Sequence, residues 1–190
     1  MSLHIIIGPM FAGKSTYLIN TIQSLLDNSI SIKDKKQTLE SILIINHSSD
    51  KRYSSKSEIC THDNKKMSSL SLNKLEEVFT NTEISIDNKI YIIIDEGQFF
   101  NDLYESVKIL LIKYKKKIYI GGLDGDYKQE QFHTSRLFDL IPYATTITKL
   151  TAKCVECNDI APFTKRIVNY GEQILVGGAD SYKPVCLNHL

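Results

Sequence analysis

Short apolar runs alternate along this chain with stretches of helical spacing. Leu3–Ile7 (LHIII), Ile42–Ile45 (ILII), Ile90–Ile94 and Ile118–Ile120 are nearly continuous in apolar, β-branched residues. Runs of this kind suit strands buried on both faces of a parallel sheet. Ala144–Ile147 is expected as a fifth strand. Between them, Leu18, Ile19, Ile22, Leu25 and Leu26 recur at the spacing that predicts a helix over Thr16 to Asp27. Leu72–Phe79 and Leu103–Leu111 read as further helices. Lys33–Lys36 reads as a charged, solvated connection, His47–Lys66 as a long polar loop, and Lys115–Lys117 as the solvated end of the last helix. From about Thr151 the alternation stops. The chain is therefore expected to divide into residues 1–150, an α/β domain with a parallel sheet and flanking helices, and residues 151–190, a small C-terminal lobe.

Composition narrows the function classes. The 190 residues carry 23 basic and 22 acidic side chains for a net charge of +1. Such a balance gives no global attraction to nucleic acid or to an anionic membrane. No apolar run reaches the length of a membrane span, and no basic segment followed by an apolar one marks a secretory leader. The expected compartment is the cytoplasm.

The first chemical signal is Gly8-Pro9-Met10-Phe11-Ala12-Gly13-Lys14-Ser15, which fits G-x-x-x-x-G-K-[ST] between an expected strand and an expected helix. Small residues let backbone N–H groups curl around phosphates, and the helix N-terminus adds its own donors. Lys14 is expected at the β- and γ-phosphates of ATP, with the Ser15 hydroxyl on Mg²⁺. The second signal is Asp95-Glu96 at the end of Tyr91–Ile94. An acid at this place holds the Mg²⁺ shell in phosphate-loop proteins, and a neighbouring carboxylate at a strand's carboxyl end can accept a proton from a hydroxyl or water. The third is Cys154-x-x-Cys157 with Cys186-x-x-His189, two knuckles that suit a closed, structural Zn²⁺ site. A lobe of this size has little core, and metal binding of about 10–16 kcal/mol would hold it together.

Six segments in order, GPMFAGKST (8–16), DEGQFF (95–100), GLDGDY (122–127), KLTAKCVEC (149–157), TKR (164–166) and GGADSY (177–182), resemble the type II thymidine kinase family. The resemblance covers nearly the whole chain. It implies transfer of the γ-phosphoryl of ATP to the 5′-hydroxyl of thymidine, and of deoxyuridine, with Glu96 as general base. Asp50-Lys51-Arg52-Tyr53 is similar to the family's D-x-R-Y. This places Asp50 and Arg52 in the nucleotide site, with Arg52 near the transferred group, and Gln98 lining the same site. Met10, Phe99, Leu123, Tyr127, Phe132, Thr164 and Tyr182 would form the nucleoside pocket. A lasso-like loop from about Phe163 to Tyr182 would cover the base, with backbone groups of Gln173, Ile174, Leu175, Val176 and Gly177 reading its edge. The resemblance further implies dTTP as a feedback inhibitor and a homotetramer.

The departures concern detail. His189 stands where cysteine is frequent, Tyr127 where phenylalanine is usual and Asp126 where threonine is common. The chain is expected to lack the long C-terminal tail of vertebrate members. Two other classes fit part of the pattern. A nucleic-acid-dependent ATPase would share the phosphate loop and the acids, but such motors need a second core. A zinc-ribbon module would share the cysteines, but the lobe lacks a dense basic stripe, although Lys153, Lys165 and Arg166 are present.

Overall fold

The computed structural model describes residues 1–29, 31–49, 58–60, 66–168, 175 and 177–190. In chain order they form β1 (Ser2–Gly8), α1 (Lys14–Asp27), α2 (Ile32–Glu40), β2 (Ile42–His47), β3 (Glu58–Cys60), β4 (Lys66–Ser68), β5 (Leu70–Leu72), β6 (Tyr91–Ile94), α3 (Leu103–Ile112), β7 (Lys117–Leu123), β8 (Thr146–Lys149), β9 (Ala152–Lys153), β10 (Ile160–Ala161), β11 (Phe163–Arg166) and β12 (Tyr182–Val185). Six strands build one sheet in the order β5-β2-β6-β7-β1-β8, and every neighbouring pair is parallel. This is the expected α/β class.

The apolar runs are split by parity between the two faces. Ile5, Ile7, Leu43, Ile45, Ile92, Ile94, Ile118 and Ile120 share one buried cluster with Leu103, Val107, Leu110 and Leu111 of α3. Ile6, Ile42, Ile44 and Ile93 share the other with Leu18, Ile19 and Ile22 of α1. A strand covered on both sides needs an apolar residue at each position, which is why these segments do not alternate with polar ones. The carboxyl ends of the adjacent parallel strands β6, β7 and β1 lie side by side at one edge of the sheet.

Four local expectations are corrected. Leu72–Phe79 is helical only in part: Leu72 ends the edge strand β5, paired with His47, and Leu75–Phe79 is a 3-10 helix. Its first N–H groups, on Leu75 and Glu76, donate to the two oxygens of Asp102 at 3.0 and 2.7 Å. That cap comes from the far side of β6. Lys33–Lys36 lies inside α2, whose N-cap Ser31 accepts from the Asp34 N–H at 3.2 Å. The helix buries no residue, so it carries no apolar stripe. In Lys115–Lys117, Lys116 is buried: its ammonium donates to the carbonyls of Asp87 and Lys89, and Lys117 already starts β7. Within the expected 47–66 loop, Glu58–Cys60 pairs antiparallel with β4.

The C-terminal residues form two small antiparallel pairs, β9 with β10 and β11 with β12. Among the described residues their buried cluster is Cys154, Ala161, Val185 and Cys186, with Ala152 and Phe163 against it. Among the described residues no helix is long and apolar enough to cross a membrane.

Candidate active site

The phosphate loop leaves β1 through Gly8. A Cβ there would lie 2.5 Å from the Leu150 carbonyl oxygen, so no larger residue fits. Pro9 and Ala12 close a turn (3.4 Å), and Gly13, at φ 83°, delivers the chain into α1. No side chain caps α1. The helix N-terminus therefore presents its donors to the loop, the arrangement that binds phosphate. The Lys14 ammonium is buried within the loop and donates to the carbonyls of Gly8 (3.1 Å) and Pro9 (2.8 Å).

The acid pair stands beside it at the end of β6. Asp95 and Glu96 are both buried. Asp95 accepts a hydrogen bond from the Glu96 N–H at 3.0 Å, and the Ser15 hydroxyl favours its ionised form. Burial, then the nearby Glu96 carboxylate, push the Asp95 carboxyl up to about 7, against the pull of Ser15 and Lys14. Gly121 of β7 makes room, since a Cβ there would lie 3.0 Å from Asp95 Oδ1. Glu96 has φ 52° and ψ 42°, a left-handed conformation that costs a non-glycine residue about 1–3 kcal/mol. It turns the chain off the strand, so that Glu96 and the 3-10 turn Gly97–Phe99 lie over the sheet's edge. Gln98 is 1% exposed; its amide nitrogen donates to Glu96 Oε2 at 2.6 Å, and its amide oxygen accepts the Leu123 N–H at 2.9 Å. The hard oxygens of Ser15 and Asp95 are a donor set that fits Mg²⁺.

An aromatic cluster adjoins the loop. Met10, Leu123 and Tyr182 are buried together, with Phe11, Tyr127, Phe132 and Leu175 packed against them. Phe99 meets Phe132 edge-on, with ring centroids 6.2 Å apart. Thr164 of β11 is buried, and its hydroxyl accepts the Met10 N–H at 2.9 Å, which ties the hairpin β11–β12 to the phosphate loop. Gly177 lies close under this hairpin; a Cβ would meet the Ser181 hydroxyl at 2.6 Å.

Arg166 completes the cluster, and no sequence signal assigned it there. Its guanidinium stacks on the Tyr127 ring at 3.9 Å and donates to the Tyr182 hydroxyl at 2.8 Å. A guanidinium can only donate, so the Tyr182 proton turns outward, to the Leu175 carbonyl at 2.7 Å. The TKR segment marked the residue; its two ring partners, at 127 and 182, are visible only in three dimensions. Asp50, Arg52, Gln173, Ile174 and Val176 lie outside the described residues.

The ligand atoms of Cys154, Cys157, Cys186 and His189 all lie within 4.8 Å of one another. Cys157 and Cys186 sulfurs are 3.7 Å apart, and His189 Nδ1 is 3.2 Å from Cys186 and 3.6 Å from Cys154. Ligands on a tetrahedral zinc, with Zn–S of about 2.3 Å and Zn–N of about 2.0 Å, stand about 3.5–3.8 Å apart. The set fits structural zinc, with no protein position left open. Lys165 donates to the His189 carbonyl at 2.9 Å, so β11 touches this cluster as well as the phosphate loop.

A parallel sheet with a phosphate loop on its β1, acids at the end of β6 and a Cys₃His cluster at the C-terminal end defines a phosphate-loop α/β protein with an attached zinc-type lobe. A family model described as "Thymidine kinase" matches residues 1–190. The chain is 36% identical over 188 residues to the thymidine kinase of Oryza sativa subsp. japonica, covering 98% of this chain and 65% of that protein. It is 35% identical over 187 residues to the thymidine kinase of Rabbit fibroma virus (strain Kasza), covering 97% and 93%. It is 35% identical over 184 residues to the cytosolic thymidine kinase of Homo sapiens, covering 97% and 70%. The chain belongs to the thymidine kinase family.

Proposed function

We propose that the protein transfers the γ-phosphoryl group of ATP to the 5′-hydroxyl of thymidine, and of deoxyuridine, giving the 5′-monophosphate and ADP. The observation that carries this reading is the double position of Met10. Its backbone belongs to the phosphate loop, and its side chain is buried in the aromatic cluster with Leu123 and Tyr182. Phosphate donor and flat acceptor would thus meet at one residue.

In this reading Gly8 to Ser15 bind the triphosphate, and Lys14 exchanges the carbonyls it now holds for the β- and γ-oxygens. Ser15 and Asp95 would hold Mg²⁺, which when bound neutralises charge on the phosphates. Glu96 accepts the proton of the 5′-hydroxyl, and its buried position at the loop's edge keeps bulk water from competing. Arg52, beside Asp50, stabilises charge on the transferred group. The pyrimidine lies against Phe99, Tyr127, Phe132 and Tyr182, with Thr164 near its edge and backbone from Gln173 to Gly177 reading it. Cys154, Cys157, Cys186 and His189 would hold Zn²⁺, whose binding energy fixes the lobe. Membership of the family leads us to propose in addition dTTP as inhibitor, a homotetramer, a cytoplasmic setting, and the division into residues 1–150 and 151–190.

The test is nucleotide formation from ATP across the four deoxynucleosides and deoxyuridine. Thymidine and deoxyuridine are expected to be phosphorylated, and Glu96→Gln to lower kcat by about 10²–10⁴. A wild-type rate in that variant removes Glu96 as base. ATP hydrolysis stimulated by DNA, without a nucleoside product, overturns the whole reading.

A further inference from the structure

We infer that Gln98 is a positioning residue that acts through Glu96, a role that rests on the proposed use of Glu96 as base. The Glu96 carboxylate sits on a left-handed residue at the tip of a strand, with rotatable bonds between it and the backbone. A base in that place needs its oxygen fixed, since a displacement of about 1 Å can cost about 10²-fold in rate.

Gln98 supplies one such bond. The Leu123 N–H can only donate, so the amide oxygen of Gln98 must face it, at 2.9 Å. That leaves the amide nitrogen facing Glu96, where it donates to Oε2 at 2.6 Å. The orientation of the amide is therefore decided by the backbone of β7. Both bonds are buried, so neither end can turn to water without leaving an unsatisfied group. Gly122 completes the fit: a Cβ there would lie 3.2 Å from the Gln98 amide oxygen and 2.9 Å from Leu137 Cδ2. The result is a rigid link from the end of β7, through one amide, to one oxygen of the base. The family resemblance placed Gln98 as a lining residue of the nucleotide site; in the structure both ends of its amide are engaged with protein.

Gln98→Met keeps the length and volume of the side chain and removes both bonds. The measurements are kcat and the KM values for ATP and thymidine, made on four proteins: wild type, Gln98→Met, Glu96→Gln and the double variant. Expected is a fall in kcat of about 10- to 100-fold in Gln98→Met, with both KM values within about twofold. In the Glu96→Gln background the same change should alter kcat by less than about twofold, because there is no longer a base to position. Gly122→Ala, which presses on the same amide from outside, should reproduce the kcat-selective loss. Thermal melts establish that each variant compared is folded.

A wild-type kcat in Gln98→Met overturns the inference. So does a rise in the ATP KM with kcat unchanged, which would make Gln98 a nucleotide ligand. An equal loss in both backgrounds also overturns it, since Gln98 would then act independently of Glu96. If Glu96→Gln itself runs at the wild-type rate, the base assignment and this inference fall together. If Glu96→Gln is inactive and Gln98→Met is not, only the inference falls.

Discussion

At the scale of single residues, the site holds its charges in a stressed state. Asp95 has its carboxyl raised to about 7, chiefly because it is buried and next because Glu96 stands beside it. A carboxyl whose folded pKa lies above its ordinary value of about 3.9 binds more protons in the folded state. Its contribution to stability is full below about pH 4 and is lost as the pH rises through about 7. Asp95→Asn should therefore raise the melting temperature of the ligand-free protein at pH 8 and flatten its decline between pH 5 and 8, while phosphoryl transfer is lost. A variant whose melting profile keeps the wild-type slope would show that Asp95 is not the group responsible. Glu96 adds backbone strain to the same spot. Strain and unfavourable charge gathered at one strand tip are the features expected where function, not stability, selects the residue.

At the scale of elements, β1, β2, β6 and β7 and the helices α1 and α3 were legible because each buries a face, whereas the edge strand β5 was not foreseen. Parity along β1, β2, β6 and β7 distributes side chains to two clusters, and the spacing in α1 and α3 matches one cluster each. Where an element buries nothing, or is held by a distant partner, the pattern is silent. Helix α2 is of the first kind. The 3-10 turn Leu75–Phe79 is of the second, since its free N–H groups are capped by Asp102, which also accepts from the Ser106 hydroxyl at 3.1 Å. Asp102→Ala should cost about 1–2 kcal/mol in chemical denaturation, the size of a lost cap, and leave the kinetic constants unchanged. A loss below about 0.3 kcal/mol would mean that water replaces the carboxylate at no cost. Lys116 shows the opposite error. A lysine beside two others reads as solvated, yet this one is buried and donates to the carbonyls that precede β6.

At the scale of the whole molecule, β11 joins three parts that lie far apart in sequence. Thr164 accepts the Met10 N–H of the phosphate loop, Lys165 reaches the carbonyl of His189 in the metal cluster, and Arg166 stacks on Tyr127 and bonds Tyr182. Alternation along the strand sends Thr164 and Arg166 to the site and Lys165 to the cluster. Among the described residues the lobe's own buried cluster is Cys154, Ala161, Val185 and Cys186, so a metal bound there would be expected to hold its geometry. Stripping zinc with a strong chelator should lower the melting temperature and raise the thymidine KM before it affects ATP binding. Metal analysis should return one zinc per chain, and Cys154→Ser should reduce it. An intact thymidine KM in zinc-free protein would break the link between cluster and pocket.

The sequence by itself determined the parallel α/β class, the phosphate loop, the acids at the end of β6 and the four metal-type ligands. Each of these is written in local order, as a periodicity or as a short spacing between neighbours. Only the tertiary structure decided how they meet. It alone placed Arg166 between two tyrosines, turned the Gln98 amide toward Glu96, and spent the Thr164 hydroxyl on Met10. Met10 and Thr164 lie at opposite ends of the chain, Arg166 reaches back to Tyr127, and the Gln98 amide is oriented by Leu123 across a strand crossover. Hydrogen-bond partners at that range are chosen by packing, and packing leaves no local periodicity to read.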